Sequence, residues 1–512
     1  MRLKAEGHSA KLWIRESEYE HSGKGVVDYA RDYEFGQDVI ADCTGFGCLC
    51  DLFRSNETRV FAGSSFADHL EEDRELAQTV MLDSGIDTPE SVHVTSWEQA
   101  AKLVEKIAKL SDDGKVVIKP EGSSSGTIPS YVAKDVEDAL STLESYEKRT
   151  SEAPELTIQQ FIKGVAVSTE GWFNGEDFVE GMFNHTIEKK ASLNDDLGPA
   201  VGCAGNVVWS CGSDDPIVKQ SLTKLTKVLR ENRYVGPIDL NCVVNKDGCY
   251  GLEFTPRFGY DAFPTLLYTL CDLDFGSFIS RCSRGMDSDV SLSEGFGAGV
   301  RLRPPKSGKP EELAELRGLT EEDLKWFYPY CVEMTDDEII KMTRGESGPG
   351  VINGHGDTIG EAFARAYEIC SRLQLRDAQY RTDLSDVLLA DFRELRSVLS
   401  GDSDDSWLAV DLDGTLAEYS DWSTEIGVPV PKMIQRVRQW VAEGKEVRVL
   451  TVRGSVDGEG EASKYKQLIR VYDWVKEHIG TPLEVTHKKD PLMKKLYDDR
   501  VQRVEANTGV FV

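Results

Sequence analysis

"GPIDLNCVVNKDGCYGLEFTPRFG", residues 236–259, reads as two apolar strands joined across the polar turn Asn245–Gly248. Polar residues and glycine between two β-prone runs are the signature of a hairpin. Asp239 lies on the first strand and Glu253 on the second, so closing the hairpin brings two carboxylates together. One or two carboxylates, with phosphates and water completing an octahedron, is the donor set that Mg²⁺ takes when it is bound to a triphosphate. Arg257, just past the second strand, offers a bidentate partner for a phosphate or carboxylate.

Upstream, "KVVIKPEGSSSGTIPSYV" (115–132) pairs with that reading. A strand, Val116–Ile118, delivers Lys119 into a turn of small residues, Gly122, Ser123, Ser124, Ser125 and Gly126. Small side chains let backbone N–H groups approach phosphate oxygens, and the lysine adds a point charge. Between the two motifs, "LTIQQFIKGVAVSTEGWF" (156–173) reads as a strand, a short hinge and a second strand.

Phosphate lysine and glycine loop, then hinge, then an E-x-x-P-R hairpin: this order resembles the ATP-grasp fold. Within it, residues 10–390 are most similar to the phosphoribosylamine–glycine ligases (glycinamide ribonucleotide synthetases). "AGSSFADHLEEDRELAQTVMLDSGIDTPES" resembles that family's entry into the ATP-grasp domain, and "FNHTIEKKASLNDDLGPAVGCAG" (183–205) its substrate loop. "EFTPRFG" resembles its metal and arginine motif, and "VINGHGDTIGEAFARAYEICSRLQLRDAQYRTDL" its C-terminal domain.

The resemblance implies phosphoryl transfer from ATP to a carboxylate, attack of an amine on the acyl phosphate, and an amide product. Lys119 and the 122–126 turn would hold phosphates, and the hinge residues Gln160, Phe161 and Ile162 would border the adenine. Glu253 would hold Mg²⁺ or Mn²⁺ with help from Asp239. Arg257 and the 198–205 loop would face the substrates, and His185 and Lys189 fall where the family has a basic cluster near the phosphates. The sequence also departs from the pattern. Thr255 stands where the family has asparagine, "YDAF" (260–263) replaces an acid-Pro-acid segment, and "AVGCAG" (200–205) replaces an Asn-Thr-Gly-Gly-Met-Gly loop. The hinge lacks the usual acidic pair, for which Glu170 is the substitute on offer. The N-terminal glycine loop expected to hold a ribose phosphate is missing, so either the first domain lacks its opening strand or the true start lies upstream.

A second chemistry-bearing stretch comes late. "WLAVDLDGTL" (407–416) is an apolar strand ending in Asp411-x-Asp413-Gly414-Thr415. Two acids at i and i+2 on an extended segment that breaks at glycine face one cation and one phosphate. Asp411 is placed to attack phosphorus, and Asp413 to protonate the leaving oxygen and later activate water, with Mg²⁺ screening the charge. The helix 431–444 follows, then the strand "EVRVLTVR", which presents Thr451 to a phosphate. Lys488 or Lys489 would neutralise the aspartyl phosphate, and Asp498 and Asp499 are further metal ligands. This succession resembles the haloacid dehalogenase (HAD) superfamily, especially a small, cap-poor group.

The expected fold class is therefore α/β and α+β multidomain. It comprises an N-terminal α/β domain (1–66), an ATP-grasp domain (67–298), a C-terminal ligase domain (299–398), a linker (399–406) and a HAD-like Rossmannoid domain (407–512). In the third of these, Thr358 and Glu361 form a capping-box pair, and Ile359, Ala362, Phe363, Ala366, Cys370 and Leu373 recur at helical spacing as a core stripe. A single helix is expected over 68–84.

The formal charge is −30, from 59 basic and 89 acidic residues among 512, which disfavours broad contact with a phosphate backbone. No run of apolar residues is long enough to span a membrane, and no apolar signal core opens the chain. The 11 cysteines lack C-x-x-C spacing and read as reduced thiols of a cytoplasmic protein. The expected function is a bifunctional enzyme of purine biosynthesis: a ligase joining phosphoribosylamine and glycine, with a C-terminal phosphatase, as monomer or homodimer. The alternatives are a ligase of the same chemistry on another amine or acid, and a decayed nucleotide-binding module.

Overall fold

The computed structural model describes residues 2–15, 19–30, 38–111, 113–121, 130–149, 154–286, 290–303, 315–335, 340–343, 348–375, 379–401, 404–419, 425–455 and 461–501. Its centre is an eight-stranded sheet in the order Gly248–Thr255, Gly236–Asn245, Val165–Phe173, Phe178–Ala191, Ala200–Cys211, Phe296–Leu302, Gly350–Gly356, Phe327–Pro329. Every pairing in it is antiparallel. The boundary expected at 298/299 falls inside Phe296–Leu302. That strand pairs with Ala200–Cys211 on one side and Gly350–Gly356 on the other, so the two expected domains share one sheet.

Alternation along these strands gives the sheet two different faces. Phe183, Ile187, Val207, Leu240 and Val300 point to one side and form the main core with the helix Ile359–Cys370 and other helices. Trp172 and Val208 point to the other side, into a second cluster built with Phe61, Phe258, Phe263 and Phe278.

A smaller antiparallel sheet, Ser91–Val94, Leu156–Gln160, Val116–Pro120 and Tyr131–Ala133, is covered by the helices Trp97–Ala108 and Val136–Glu147. Gln160 ends its second strand and Val165 begins a strand of the large sheet, so the expected hinge joins the two sheets. The N-terminal segment carries a parallel pair, Asp38–Ile40 with Arg59–Phe61, and the helix Gly47–Ser55 between them. The helix expected over 68–84 is two, Ser65–Glu72 and Arg74–Asp83. Asp73 adopts extended backbone and its carboxylate accepts from Leu76 N–H, starting a new helix.

The helix Ile359–Cys370 begins as its sequence indicates: Thr358 Oγ1 accepts from Glu361 N–H at 3.1 Å. The return bond goes to Asp357 N–H, not to Thr358. Ile359, Ala362, Phe363, Ala366 and Cys370 are buried. The other side of this helix receives the C-terminal unit. There a parallel sheet in the order Val485–Thr486, Glu446–Leu450, Trp407–Asp411, Met493–Tyr497 is flanked by the helices Pro431–Ala442 and Glu461–Ile479. Tyr465 stacks on Tyr367 at 5.2 Å and Asp473 pairs with Arg365 at 3.1 Å. At Gly360 the units pack tightly: a Cβ there would lie 2.1 Å from the Tyr472 hydroxyl. All 11 cysteines are free thiols. Among the described residues, no helix is long and apolar enough to cross a membrane.

Candidate active sites

The 236–259 hairpin forms as expected, and its register sets the first site. Asp239 sits opposite Thr255, and Asn241 opposite Glu253. The two carboxylates are therefore one rung apart on one face. The rungs continue across the sheet: Asp239 faces Glu170, which faces Asn184, while Asn241 faces Ser168, which faces Thr186. Ser168 Oγ donates to Asn241 Oδ1 at 2.7 Å. Glu170 accepts from Trp172 Nε1 at 2.9 Å and Asn184 Nδ2 at 3.1 Å. The result is a polar ledge on the second face of the sheet.

Asp239 is buried, and its Oδ1 has no hydrogen-bond partner among the described residues. Burial, then the charges of Glu170, Glu188 and Glu253, push its carboxyl well above the usual carboxylate range. Burial and Asp261 likewise push Glu188 up to about 7. A nest of mutually repelling carboxyls with an orphaned oxygen fits a divalent cation.

Lys119 ends a strand of the small sheet and is held at the same place. Burial, then the charges of Arg74 and Lys190, bring its ammonium down to about 8, against the pull of Glu253 and Glu121. Arg74, the first residue of its helix, lies 3.2 Å from Glu121 and 4.0 Å from Glu253. Lys119, Arg74 and Lys190 thus surround the outer carboxylates where a polyphosphate would lie between the sheets. The expected phosphate turn, Gly122, Ser123, Ser124, Ser125 and Gly126, lies outside the described residues. At the hinge, Gln160 Nε2 donates to Leu110 O at 2.6 Å, and Phe161 N–H to Ser111 Oγ at 3.1 Å. Ile162 is half-buried beside them.

Three expectations need correction. His185 and Lys189 are not on the ledge. They share a face with Phe183 and Ile187, on the main-core side, where His185 lies 3.1 Å from Asp215 and Lys189 pairs with Asp391 at 2.7 Å. Their neighbours Glu188 and Lys190 take the ledge instead. The alternation around the apolar Ile187 carries that information in the sequence.

Arg257 is engaged elsewhere. Its guanidinium donates three times to the Glu71 carboxylate, at 2.6–3.1 Å, and stacks on Tyr260 at 4.0 Å. The expected 198–205 loop is mostly strand, since 200–205 belong to Ala200–Cys211, with Lys189 opposite Gly205. The turn just before it is tied down by Asn194 Nδ2 on Thr382 Oγ1 and by Arg381 on Asp196.

Residues 72–262 match the family described as the phosphoribosylglycinamide synthetase ATP-grasp (A) domain. The fold is the ATP-grasp fold. Among curated relatives, the phosphoribosylamine–glycine ligase of Halalkalibacterium halodurans is 22% identical over 396 residues, covering 73% of this chain and 87% of the relative. That of Corynebacterium ammoniagenes is 23% identical over 380 residues, 70% and 86% of the two chains. The crystal structure of the Thermotoga maritima phosphoribosylamine–glycine ligase superposes with a TM-score of 0.54 at 21% identity, covering 70% of this chain and 90% of that one. A biotin carboxylase from Campylobacter jejuni, solved with a β,γ-ATP ligand, gives 0.52 at 13% identity, covering 78% and 93%. The ledge lies within the residues matched by the family model.

The second site is at the C-terminal end of the strand Trp407–Asp411, flanked by the parallel strands Glu446–Leu450 and Met493–Tyr497. The carboxylates of Asp411, Asp498 and Asp499 lie within 4.8 Å of one another. Burial, then Asp498, raises Asp411 to about 7. Gly414 has φ +97°, and a Cβ there would press on Asp499 Oδ2 at 2.6 Å, so only glycine lets the turn close over this acid. Thr415 Oγ1 accepts from Asp499 N–H at 3.1 Å and pins the second loop to the first. The acidic trio fits a divalent cation.

Asp413 does not join the trio; it pairs with Arg453, a residue not singled out in the sequence. Thr451 is buried beside it, its hydroxyl accepting from Arg453 N–H at 3.2 Å. Of the two candidate lysines, Lys488 reaches away to Asp386 at 2.6 Å, while Lys489 is exposed.

Proposed function

We propose that the ATP-grasp module is a Mg-ATP-dependent carboxylate–amine ligase, working through an acyl phosphate, with phosphoribosylamine and glycine as the leading substrate pair. The observation that carries the reading is the meeting of Lys119 from the small sheet with Glu253 and Asp239 from the large one. Lys119, Arg74 and Lys190 would neutralise the polyphosphate, and Glu253 and Asp239 would hold Mg²⁺, with Thr255 beside them. Mg²⁺ would supply charge neutralisation at the transferred phosphoryl group. The reacting carboxylate would lie along the ledge, and the covering N-terminal segment would exclude water. Catalysis would come mainly from positioning and charge. The relatives' activity supports the choice of substrates.

The test is ADP release with Mg-ATP, glycine and freshly generated phosphoribosylamine, with mass spectrometry of the products. Glycinamide ribonucleotide made by the native protein and lost in Glu253→Ala is the expected result. ADP release without that product shifts the reading to another amine or acid, and no ATP binding at all would support a decayed module.

For the C-terminal unit we infer a metal-dependent phosphohydrolase. Asp411 would attack phosphorus and carry the phosphoryl group, and Asp413 would serve as acid and base. Thr451 and Lys489 would contact the phosphate, and Asp498 and Asp499 would complete the metal set. The support is the placement of Asp411, Asp498 and Asp499 at the end of a central parallel strand. Hydrolysis of p-nitrophenyl phosphate, abolished by Asp411→Asn, tests it.

A further inference from the structure

One contact between the ligase fold and the C-terminal unit reaches the second site. The helix Leu384–Ser400 buries Leu384, Leu388 and Leu395 in the main core. Asp386 and Arg393 fall on its opposite face, at about 3.6 residues per turn. Arg393 lies 3.2 Å from Glu446, the first residue of the strand Glu446–Leu450. Asp386 lies 2.6 Å from Lys488, in the loop that follows the strand Val485–Thr486. The helix therefore runs beside the parallel sheet from its N-terminal to its C-terminal end.

The Lys488 loop leaves the carboxyl end of that sheet, the end where Asp411 sits and where ligands bind in open parallel sheets. Thr451 N–H donates to the Thr486 carbonyl at 2.9 Å. Val485–Thr486 is two strands from Trp407–Asp411 in the sheet order, about 10 Å at the usual spacing, and a lysine side chain covers most of that gap. The loop is clamped at both ends. Thr486 Oγ1 accepts from Lys488 N–H at 3.1 Å. The Asp490 carboxylate accepts from Leu492 N–H at 2.8 Å, Met493 N–H at 3.1 Å and Trp407 Nε1 at 2.8 Å. Between the clamps stand His487, Lys488 and Lys489. Neighbouring residues outside a helix send their side chains apart, so the direction taken by one lysine constrains the other. Lys488 is taken up by Asp386, whereas Lys489 is exposed and makes no ion pair among the described residues.

An ion pair between exposed groups is worth little by itself, partly because two long side chains must be ordered to make it. Here the two backbones are already fixed relative to each other. Tyr465 of the C-terminal unit is buried in the main core and stacks on Tyr367, Gly360 packs under the Tyr472 hydroxyl, and Arg365 pairs with Asp473 at 3.1 Å. We propose that Asp386, a residue of the ligase fold, is a positioning residue of the C-terminal site: it holds Lys488 outside, and so leaves Lys489 as the cation that faces the phosphoryl group on Asp411. The inference rests on the phosphohydrolase reading of that unit.

The full-length protein is assayed with p-nitrophenyl phosphate and Mg²⁺ at low, constant ionic strength, and Mg-ATP affinity and melting temperature are measured on the same samples. Asp386→Asn is expected to lower kcat about fivefold, with KM, Mg-ATP affinity and melting temperature near their native values. Lys488→Met should cause the same loss, and the double variant no more than either alone. Asp386→Glu keeps the charge and should recover the native rate. Lys489→Met should lose about 100-fold. A lower melting temperature with native kcat in Asp386→Asn would mean that the pair only docks the units, and overturns the proposal. Additive losses in the double variant, or a larger loss in Lys488→Met than in Lys489→Met, overturn it as well. A native protein that does not hydrolyse the probe at all overturns the phosphohydrolase reading, and the role of Asp386 falls with it.

Discussion

Arg453 grips Asp413 through two parallel hydrogen bonds, Nε to Oδ2 at 2.8 Å and Nη2 to Oδ1 at 2.7 Å. Both side chains are nearly buried, and Gln467 and the Glu425 carbonyl accept further bonds from the same guanidinium. The fork fixes the carboxylate of the residue assigned as acid and base. Arg453→Ala should lower kcat for p-nitrophenyl phosphate by about 10–100-fold, the range expected when a general acid–base group loses its orientation. Arg453→Lys should not restore the rate, since an ammonium lacks the bidentate geometry. A shifted pH profile in the lysine variant would separate positioning of Asp413 from a general loss of structure, and full activity in Arg453→Ala would remove Asp413 from the chemistry.

Lys119 and Glu253 come from different sheets and act on the same phosphates in the proposed ligase. Lys119→Met and Glu253→Gln should each reduce ADP release by about 100-fold, as loss of a charge aimed at a transferring phosphoryl group does. Their effects should be less than additive, because the two groups sense each other. Near-native turnover in either variant would place the phosphates elsewhere.

His185 and Lys189 provide the opposite control. Both lie on the core side of the strand Phe178–Ala191, against Asp215 and Asp391. Lys189→Met should leave the KM for ATP within about twofold and cost about 1 kcal/mol of stability through the Asp391 pair. Lys190→Met, one residue along and on the ledge, should raise the KM for ATP clearly. Steady-state kinetics on the two variants, with thermal melts, decide which face the nucleotide uses. The reverse pattern would return the phosphates to His185 and Lys189.

What could be read in advance divides along lines of range. The hairpin around Asn245 and Gly248, the hinge after Gln160 and the Asp411–Gly414 turn rest on local chemistry: turn residues, short apolar runs, glycine at a positive φ. Each is found in the structure where the sequence places it. The errors arise where a side chain's direction is set by distant pairing. His185 and Lys189 face the core because Ile187 does, and that face is fixed by helices such as Ile359–Cys370 that come much later in the chain. Arg257 is claimed by Glu71, and Arg453 by Asp413, partners 186 and 40 residues away. Asp73 is a different case. Its extended backbone and its hydrogen bond to Leu76 N–H are local, but the apolar periodicity runs through the break and hides it.

Glu484 links the two units at the N-terminus of the helix Ile359–Cys370, where its carboxylate accepts from Gly360 N–H at 3.2 Å. Burial raises it to about 7, against the opposing charges of Arg393 and Arg448, and the Tyr472 hydroxyl lies alongside. An acid whose folded pKa is raised binds its proton more tightly folded than unfolded, so its contribution weakens as pH rises from the unfolded value, about 4.3, to about 7. Stability of the docked units should therefore fall between pH 5 and 8. Glu484→Gln keeps the acceptor without the titration and should flatten that fall, by on the order of 1–3 kcal/mol at pH 8 relative to pH 5. Melting temperatures of the two proteins across this window are the measurement. Parallel curves would mean that Glu484 is ionised throughout, stabilised by Arg393 and Arg448 and by the helix terminus.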